Sequence, residues 1–137
     1  MASITYDGQS FLIDGRRVWL VSGTVQYTQA PASQWEGLIA AAKAAGLNTI
    51  TTSVVWSAHE PRPGQWDFSG DLDLRRFVEL IGSAGMMAVL RMGPYVGEGL
   101  DLGGLPPWVL TSAGSGGLRA GSGGGHGSSG GGGGGGG

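Results

Sequence analysis

One pattern occurs twice in this chain and constrains its fold more than any other feature: a helix-spaced segment, a glycine, then at once a short apolar run. The first copy ends in Ala44-Ala45-Gly46-Leu47-Asn48-Thr49-Ile50. The second ends in Ser83-Ala84-Gly85-Met86-Met87-Ala88-Val89-Leu90. A helix that stops on glycine and leads straight into a buried strand is a crossover connection. It carries the chain back to the same end of a sheet, so the strands on either side of it run parallel. The order along the chain is strand, helix, strand, helix, strand, which predicts an α/β fold.

The individual elements follow from local chemistry. Ile4-Thr5-Tyr6 and Phe11-Leu12-Ile13, separated by Asp7-Gly8 and followed by Asp14-Gly15, predict a small antiparallel β lead-in closed by tight turns. Arg17 to Gly23 reads as the first strand of the parallel sheet. Ser33-Gln34-Trp35-Glu36 fits the S-x-x-E capping box at the start of a helix. Trp35, Leu38, Ile39 and Ala42 recur at helical spacing on its inner face, and Gly46 ends it. Thr49 to Val55 is rich in β-branched residues, as a buried strand requires. A second helix begins near Asp71 as N-cap, carries Leu74, Phe77, Val78 and Ile81 as its apolar stripe, and ends on Gly85. Met86 to Leu90 is the third strand.

Periodicity alone leaves a doubly wound sheet and a barrel both open. The loops favour the barrel. No G-x-G-x-x-G follows the first strand, and there is no P-loop. The longest loops, residues 56–68 and 91–110, follow strands two and three, the side on which barrels build their active sites.

Composition divides the chain in two. Residues 1–110 form the foldable domain. From Thr111 the sequence is dominated by glycine and serine and ends in eight consecutive glycines, Gly130 to Gly137. Residues 111–137 have almost no apolar side chains to offset the entropy of ordering, and read as a disordered coil. The net charge of −2 and the low charged fraction give no reason to expect a nucleic-acid or membrane partner. Cysteine is absent, which excludes disulfides and thiolate metal sites. His59 and His126 are far apart in sequence, so neither a metal nor a cofactor is expected. The N-terminus lacks the basic and apolar blocks of a signal peptide, and no run reaches the roughly 18 apolar residues of a membrane span. The expectation is a cytoplasmic protein.

The ordered set of short motifs is more specific than any of them singly. Phe11-Leu12-Ile13-Asp14-Gly15-Arg16-Arg17, Ser22-Gly23, Lys43-Ala44-Ala45-Gly46-Leu47-Asn48-Thr49, Trp56, His59-Glu60-Pro61 and Gly64-Gln65-Trp66-Asp67-Phe68-Ser69-Gly70 come in order. They are followed by Leu90-Arg91, Gly93-Pro94-Tyr95-Val96 and Gly103-Gly104-Leu105-Pro106-Pro107-Trp108. Over residues 8–110 the chain resembles the opening of glycoside hydrolase family 35, the β-galactosidases.

The resemblance implies the first three strands and two helices of a (β/α)₈ TIM barrel, and a retaining enzyme acting on terminal β-D-galactosyl groups. Such an enzyme places its acid/base in an Asn-Glu pair after the fourth strand and its nucleophile after the seventh. No Asn-Glu pair occurs in this chain. Both catalytic carboxylates are therefore expected to be missing, and the chain is expected to be a truncated, inactive N-terminal fragment. The alternative is a non-catalytic carbohydrate-binding or interaction fragment.

The family's sugar-binding positions map with departures. The tyrosine of its T-Y-V-x-W-N segment falls on Ser53 and the asparagine on Ser57. Its C-A-E-W falls on Gly97-Glu98-Gly99-Leu100, so Gly99 stands where the family has its glutamate and Glu98 lies one position earlier. Its I-H-Y reads Val25-Gln26-Tyr27. Gly97, Glu98, Gly99, Ser53 and Tyr95 are accordingly the expected substrate-binding residues, with Glu60 as a further candidate and Arg91 orienting carboxylates behind them.

Read from the residues themselves, a retaining glycosidase needs two carboxyls about 5–5.5 Å apart. The loops offer Glu60, Glu98 and Asp101. Glu60 is expected to pair with Arg91 or Arg62 and hold its loop, a direct sugar contact being the alternative. His59 is expected to be a hydrogen-bonded loop residue. Asp101 is expected in a turn. Trp56, Trp66 and Trp108 are expected to pack the barrel rim rather than stack on sugar. Three parallel strands without the rest of a barrel would leave an apolar edge, and the chain alone is expected to be marginally stable or prone to aggregate.

Overall fold

The computed structural model describes residues 3–97 and 99–112. Glu98 and the glycine-rich residues 113–137, expected to be a disordered coil, lie outside the described residues. β1 (Ile4–Tyr6), β2 (Phe11–Ile13) and β3 (Arg16–Val18) form the expected antiparallel lead-in, in that order. Asp14 and Gly15, at φ 48° and 75°, close its second turn.

The segment expected to be one strand from Arg17 to Gly23 is divided. Its first residues belong to β3, and the parallel sheet starts only at β4 (Ser22–Thr24). Asn48 explains the break. Its Oδ1 accepts the Val21 N–H at 2.8 Å, and its Nδ2 donates to the Trp19 carbonyl at 2.7 Å. One side chain thus takes backbone groups that an unbroken strand would offer to a neighbour.

The second sheet is parallel in the order β4, β5 (Thr49–Val54), β6 (Met87–Met92). Sequential strands are spatial neighbours and progress in one direction. The crossovers are α1 (Trp35–Ala44) and α3 (Leu74–Ser83), while the short helices α2 (Trp56–His59) and α4 (Trp108–Ser112) sit in the loops that follow β5 and β6. Thr111 and Ser112, assigned by composition to the coil, complete α4.

Both helix stops form as expected. Gly46 (φ 91°) and Gly85 (φ 72°) are left-handed. Leu47 N–H reaches back to the Ala42 carbonyl, and Met86 N–H to that of Ile81. The helix starts differ from expectation. A 3₁₀ turn, Ala32–Gln34, leads into α1, and no side chain caps the helix. Ser33 lies inside that turn, so no capping box forms. Asp73, not Asp71, caps α3 by accepting the Arg76 N–H at 2.9 Å. Asp71 instead accepts the Ala32 N–H at 2.6 Å and ties the two helix entrances together.

One apolar cluster fills the space between the parallel sheet and α1 and α3. It contains Tyr27, Trp35, Ile39, Ile50, Phe77, Ile81 and Met86. Trp35 meets Phe77 edge-on at 5.3 Å, and Tyr27 lies 5.6 Å from Phe77. Leu38, expected on the inner stripe, is 38% exposed, because Trp35, Ile39 and Ala42 carry the line that faces the sheet. Among the described residues no helix is long and apolar enough to cross a membrane.

Candidate active-site face

Because β4, β5 and β6 run parallel, the loops that follow them all leave from one end of the sheet. Among the expected site residues that are described, Ser53, Glu60, Arg91, Tyr95, Gly97 and Gly99 lie at or beyond the C-terminal ends of β5 and β6. Side chains alternate along a strand, and Ser53 pairs in register with Arg91, so these two share one face. Ser22 Oγ and Thr51 Oγ1 meet at 2.6 Å on that face. Val54 and Met92 take the opposite face. There an apolar cavity of 320 Å³ is lined by Val54, Trp56, Trp66, Phe68 and Met92 among others. That cavity lies on the helix side of the sheet, away from Ser53 and Arg91.

Ser53 is fully buried. Gln26 holds its backbone from the end of β4: Oε1 accepts the Ser53 N–H at 2.8 Å and the Thr52 hydroxyl at 2.9 Å, while Nε2 donates to the Ser53 carbonyl at 3.1 Å. A side-chain amide offers the same donor and acceptor as a peptide group. Gln26 therefore continues the β4–β5 ladder beyond the end of β4. No local pattern in the sequence announces this contact across 27 residues.

Tyr27 and His59 form a second link. His59 is 1% exposed. Its Nδ1 lies 2.7 Å from the Asp67 carbonyl, which only accepts, so in the neutral ring Nδ1 carries the hydrogen and Nε2 accepts from the Tyr27 hydroxyl. The imidazole lies between Tyr27 and Phe68, with Phe68 stacked at 4.3 Å. His59 is thus the hydrogen-bonded loop residue that the sequence suggested. Burial pushes the Tyr27 hydroxyl up to about 12, against a smaller opposing effect of a backbone hydrogen bond from Val55. Asp67 is held below the usual carboxylate range, first by the Ser69 hydroxyl and then by the Ser69 N–H.

Glu60 is buried, but no arginine among the described residues pairs with it. Its Oε2 accepts from the Trp56 indole at 2.6 Å and its Oε1 from the Gly64 N–H at 2.7 Å. The expected ion pair is replaced by neutral N–H donors of the Glu60 loop itself. Trp56 and Trp108 pack edge-to-face at 5.6 Å, the packing expected of these side chains. Trp66 departs from that expectation: it is 58% exposed and stacks nearly parallel on Phe68 at 6.2 Å.

After β6 the chain turns through the cis Gly93–Pro94 bond. Tyr95 is exposed, and its ring lies over Gly103: a Cβ there would collide with Tyr95 Cε2. At φ 63° Gly103 is also left-handed, so glycine meets two demands at once. The Gly103 carbonyl accepts the N–H groups of Val96 at 2.8 Å and Gly97 at 3.2 Å. Gly99 is left-handed as well, at φ 70°. Asp101 opens a 3₁₀ turn, Asp101–Gly104, as expected of a turn residue. His126 lies outside the described residues, and among those described no His, Cys, Asp and Glu cluster suited to a metal occurs.

Comparison with known proteins fits this arrangement. The chain is 45% identical over 106 residues to β-galactosidase 11 of Arabidopsis thaliana, a match covering 77% of this chain and 12% of the relative. It is 42% identical over 107 residues to β-galactosidase-1-like protein 2 of Homo sapiens, covering 78% of this chain and 17% of that one. The chain thus spans less than a fifth of the length of these relatives. Among solved structures it is similar to an endogalactoceramidase, with a TM-score of 0.61 and 27% identity over 83% of this chain and 31% of the other. An exo-β-1,4-mannosidase from Opitutaceae bacterium strain TAV5, at TM-score 0.59 and 22% identity over 69% of this chain and 18% of the other, shares the fold. The profile of glycosyl hydrolases family 35 matches residues 10–123, from the lead-in hairpin through both strand-end loops. With most of its length matched by that profile, the chain belongs to glycosyl hydrolases family 35.

Proposed function

We propose that β4, β5 and β6 are the first three strands of a (β/α)₈ barrel, and that this chain supplies the opening part of the sugar site of a retaining β-galactosidase. The reading is supported above all by the position of Ser53, Arg91, Tyr95, Gly97 and Gly99 at or just beyond the C-terminal ends of neighbouring parallel strands. In barrels that face carries the active site. Sequential, one-directional strand order suits a barrel; a doubly wound sheet reverses its order at a switch point.

In this reading Tyr95, Gly97, Glu98 and Gly99 line the sugar, Ser53 forms the floor beneath it, and Arg91 orients carboxylates. Ser53 is smaller than the tyrosine that the family places there and leaves more room around the ring. Glu60 holds the loop. The chain contains no Asn-Glu pair, so it lacks the acid/base that double displacement needs. The 137-residue chain therefore binds carbohydrate without turning it over.

The test pairs two measurements on the full chain. D-Galactose should perturb the backbone amide NMR signals of Tyr95, Gly97 and Gly99, with D-glucose weaker, and a chromogenic β-galactoside should release no product. Absence of any galactose-dependent shift would remove the sugar-site reading. Steady turnover would show that Glu60, Glu98 or Asp101 supplies the missing carboxylates.

A further inference from the structure

We infer that Glu60 is a positioning residue that couples the loop after β5 to the loop after β6, acting through Trp108. Glu60 accepts three hydrogen bonds from outside its own peptide group. Its carboxylate takes the Trp56 indole and the Gly64 N–H, and its carbonyl takes the Trp108 indole at 3.0 Å. The first two donors belong to the loop after β5. The third belongs to α4, beyond β6, 48 residues along the chain.

The local sequence explains why the carbonyl is free for this. Proline at position 61 disfavours the helical conformation for the residue before it. Glu60 accordingly leaves α2 at φ −131°, ψ 68°, and its carbonyl turns out of the helix. The direction of that carbonyl depends on the backbone angles of Glu60. The carboxylate fixes those angles by gripping Trp56 on one side and Gly64 on the other. At 6% exposure little water competes for these bonds.

The coupling continues towards the proposed sugar loop. Trp108 follows Gly103 and Gly104 closely in sequence, and the Gly103 carbonyl holds the N–H groups of Val96 and Gly97. A Cβ on Gly104 would lie 3.0 Å from Val96 Cγ2 and 3.4 Å from Val55 Cγ1, so this turn is wedged between the two loops. Displacing Trp108 therefore moves the Val96–Gly97 segment. The consequence for sugar binding rests on the function proposed above; the coupling itself does not.

The experiment reads the indole and backbone N–H signals of the full chain by ¹H–¹⁵N NMR with hydrogen exchange, without sugar. Trp35 is the internal control, because its indole donates to the Ala30 carbonyl in the core, away from Glu60. In E60A, the indoles of Trp56 and Trp108 and the amides of Gly97 and Gly103 should shift and exchange at least tenfold faster, while Trp35 stays protected. E60Q, which keeps an acceptor oxygen, should restore part of the protection. If Trp56 responds while Trp108, Gly97 and Gly103 do not, Glu60 is only a local staple of α2 and the inference is wrong. If E60A also unprotects Trp35, W108F decides the matter. It removes the far end of the coupling, so it must shift Gly97 and Gly103 with Trp35 protected, and unchanged glycine signals would overturn the inference.

Discussion

The Tyr27 hydroxyl donates to Nε2 of His59, 32 residues further along the chain, and both side chains are buried. The bond joins the segment after β4 to the loop after β5, with His59 donating its Nδ1–H to the Asp67 carbonyl. Y27F keeps the ring that packs on Trp35 and Phe77 but leaves His59 Nε2 without its donor. The expected loss is about 1–3 kcal/mol, the cost of a buried polar atom left unsatisfied. Urea unfolding of the two proteins side by side measures it, and equal midpoints would show that the bond contributes nothing.

The same hydroxyl sets an alkaline limit. Its folded value of about 12 lies above the ordinary tyrosine value of 10. A group whose folded value is raised contributes stability in full below its unfolded value. That contribution is lost as the pH rises through the folded value. Stability should therefore fall between about pH 10 and 12, and the slope over that range should be shallower in Y27F. Urea midpoints taken across this pH range check it; parallel curves for both proteins would rule Tyr27 out as the cause.

The helix starts offer a direct comparison of sequence pattern with structure. Asp73 caps α3 through the Arg76 N–H, and D73A should cost about 1 kcal/mol. Ser33 caps nothing, and S33A should stay within about 0.5 kcal/mol of the parent. A large effect of S33A together with none from D73A would mean that the capping box forms in solution.

Gly103 lies under the Tyr95 ring with a left-handed backbone. In G103A the new methyl group collides with the ring, and the backbone is strained by about 1 kcal/mol or more. Tyr95 should move away, with shifted signals for Val96 and Gly97 while the Trp35 indole stays in place. Unchanged Tyr95 ring signals would count against the close approach.

Along β6, Val89 is 41% and Met92 69% exposed, and among the described residues this strand pairs only with β5. Apolar edges of this kind promote association between chains. M92K should lower concentration-dependent light scattering several-fold without changing circular dichroism. Identical scattering would place the sticky surface elsewhere, with the groove beside exposed Trp19 and Tyr6 as the next surface to alter.

The sequence by itself determined the elements and their order. Gly46 and Gly85 stop their helices because the chain turns left-handed there, and the short apolar runs after them form β5 and β6. β5 is mostly buried as expected, whereas β6, expected to be a buried strand too, is mostly exposed because among the described residues only β5 pairs with it. The Asp14-Gly15 turn, the parallel sheet and the family were legible for the same reason: each is written in neighbouring residues or in an ordered set of motifs. What only the tertiary structure decided depends on residues far apart in the chain. Asn48 breaks the expected first strand by binding Trp19 and Val21. Asp71 gives up the N-cap to Asp73 because Ala32 offers it an N–H. Gln26 finds Ser53, and Glu60 takes two tryptophans and a glycine N–H instead of an arginine. A side chain's hydrogen-bonding capacity can be read from its type, but its partner is chosen by which groups the folded backbone brings within about 3 Å and shields from water.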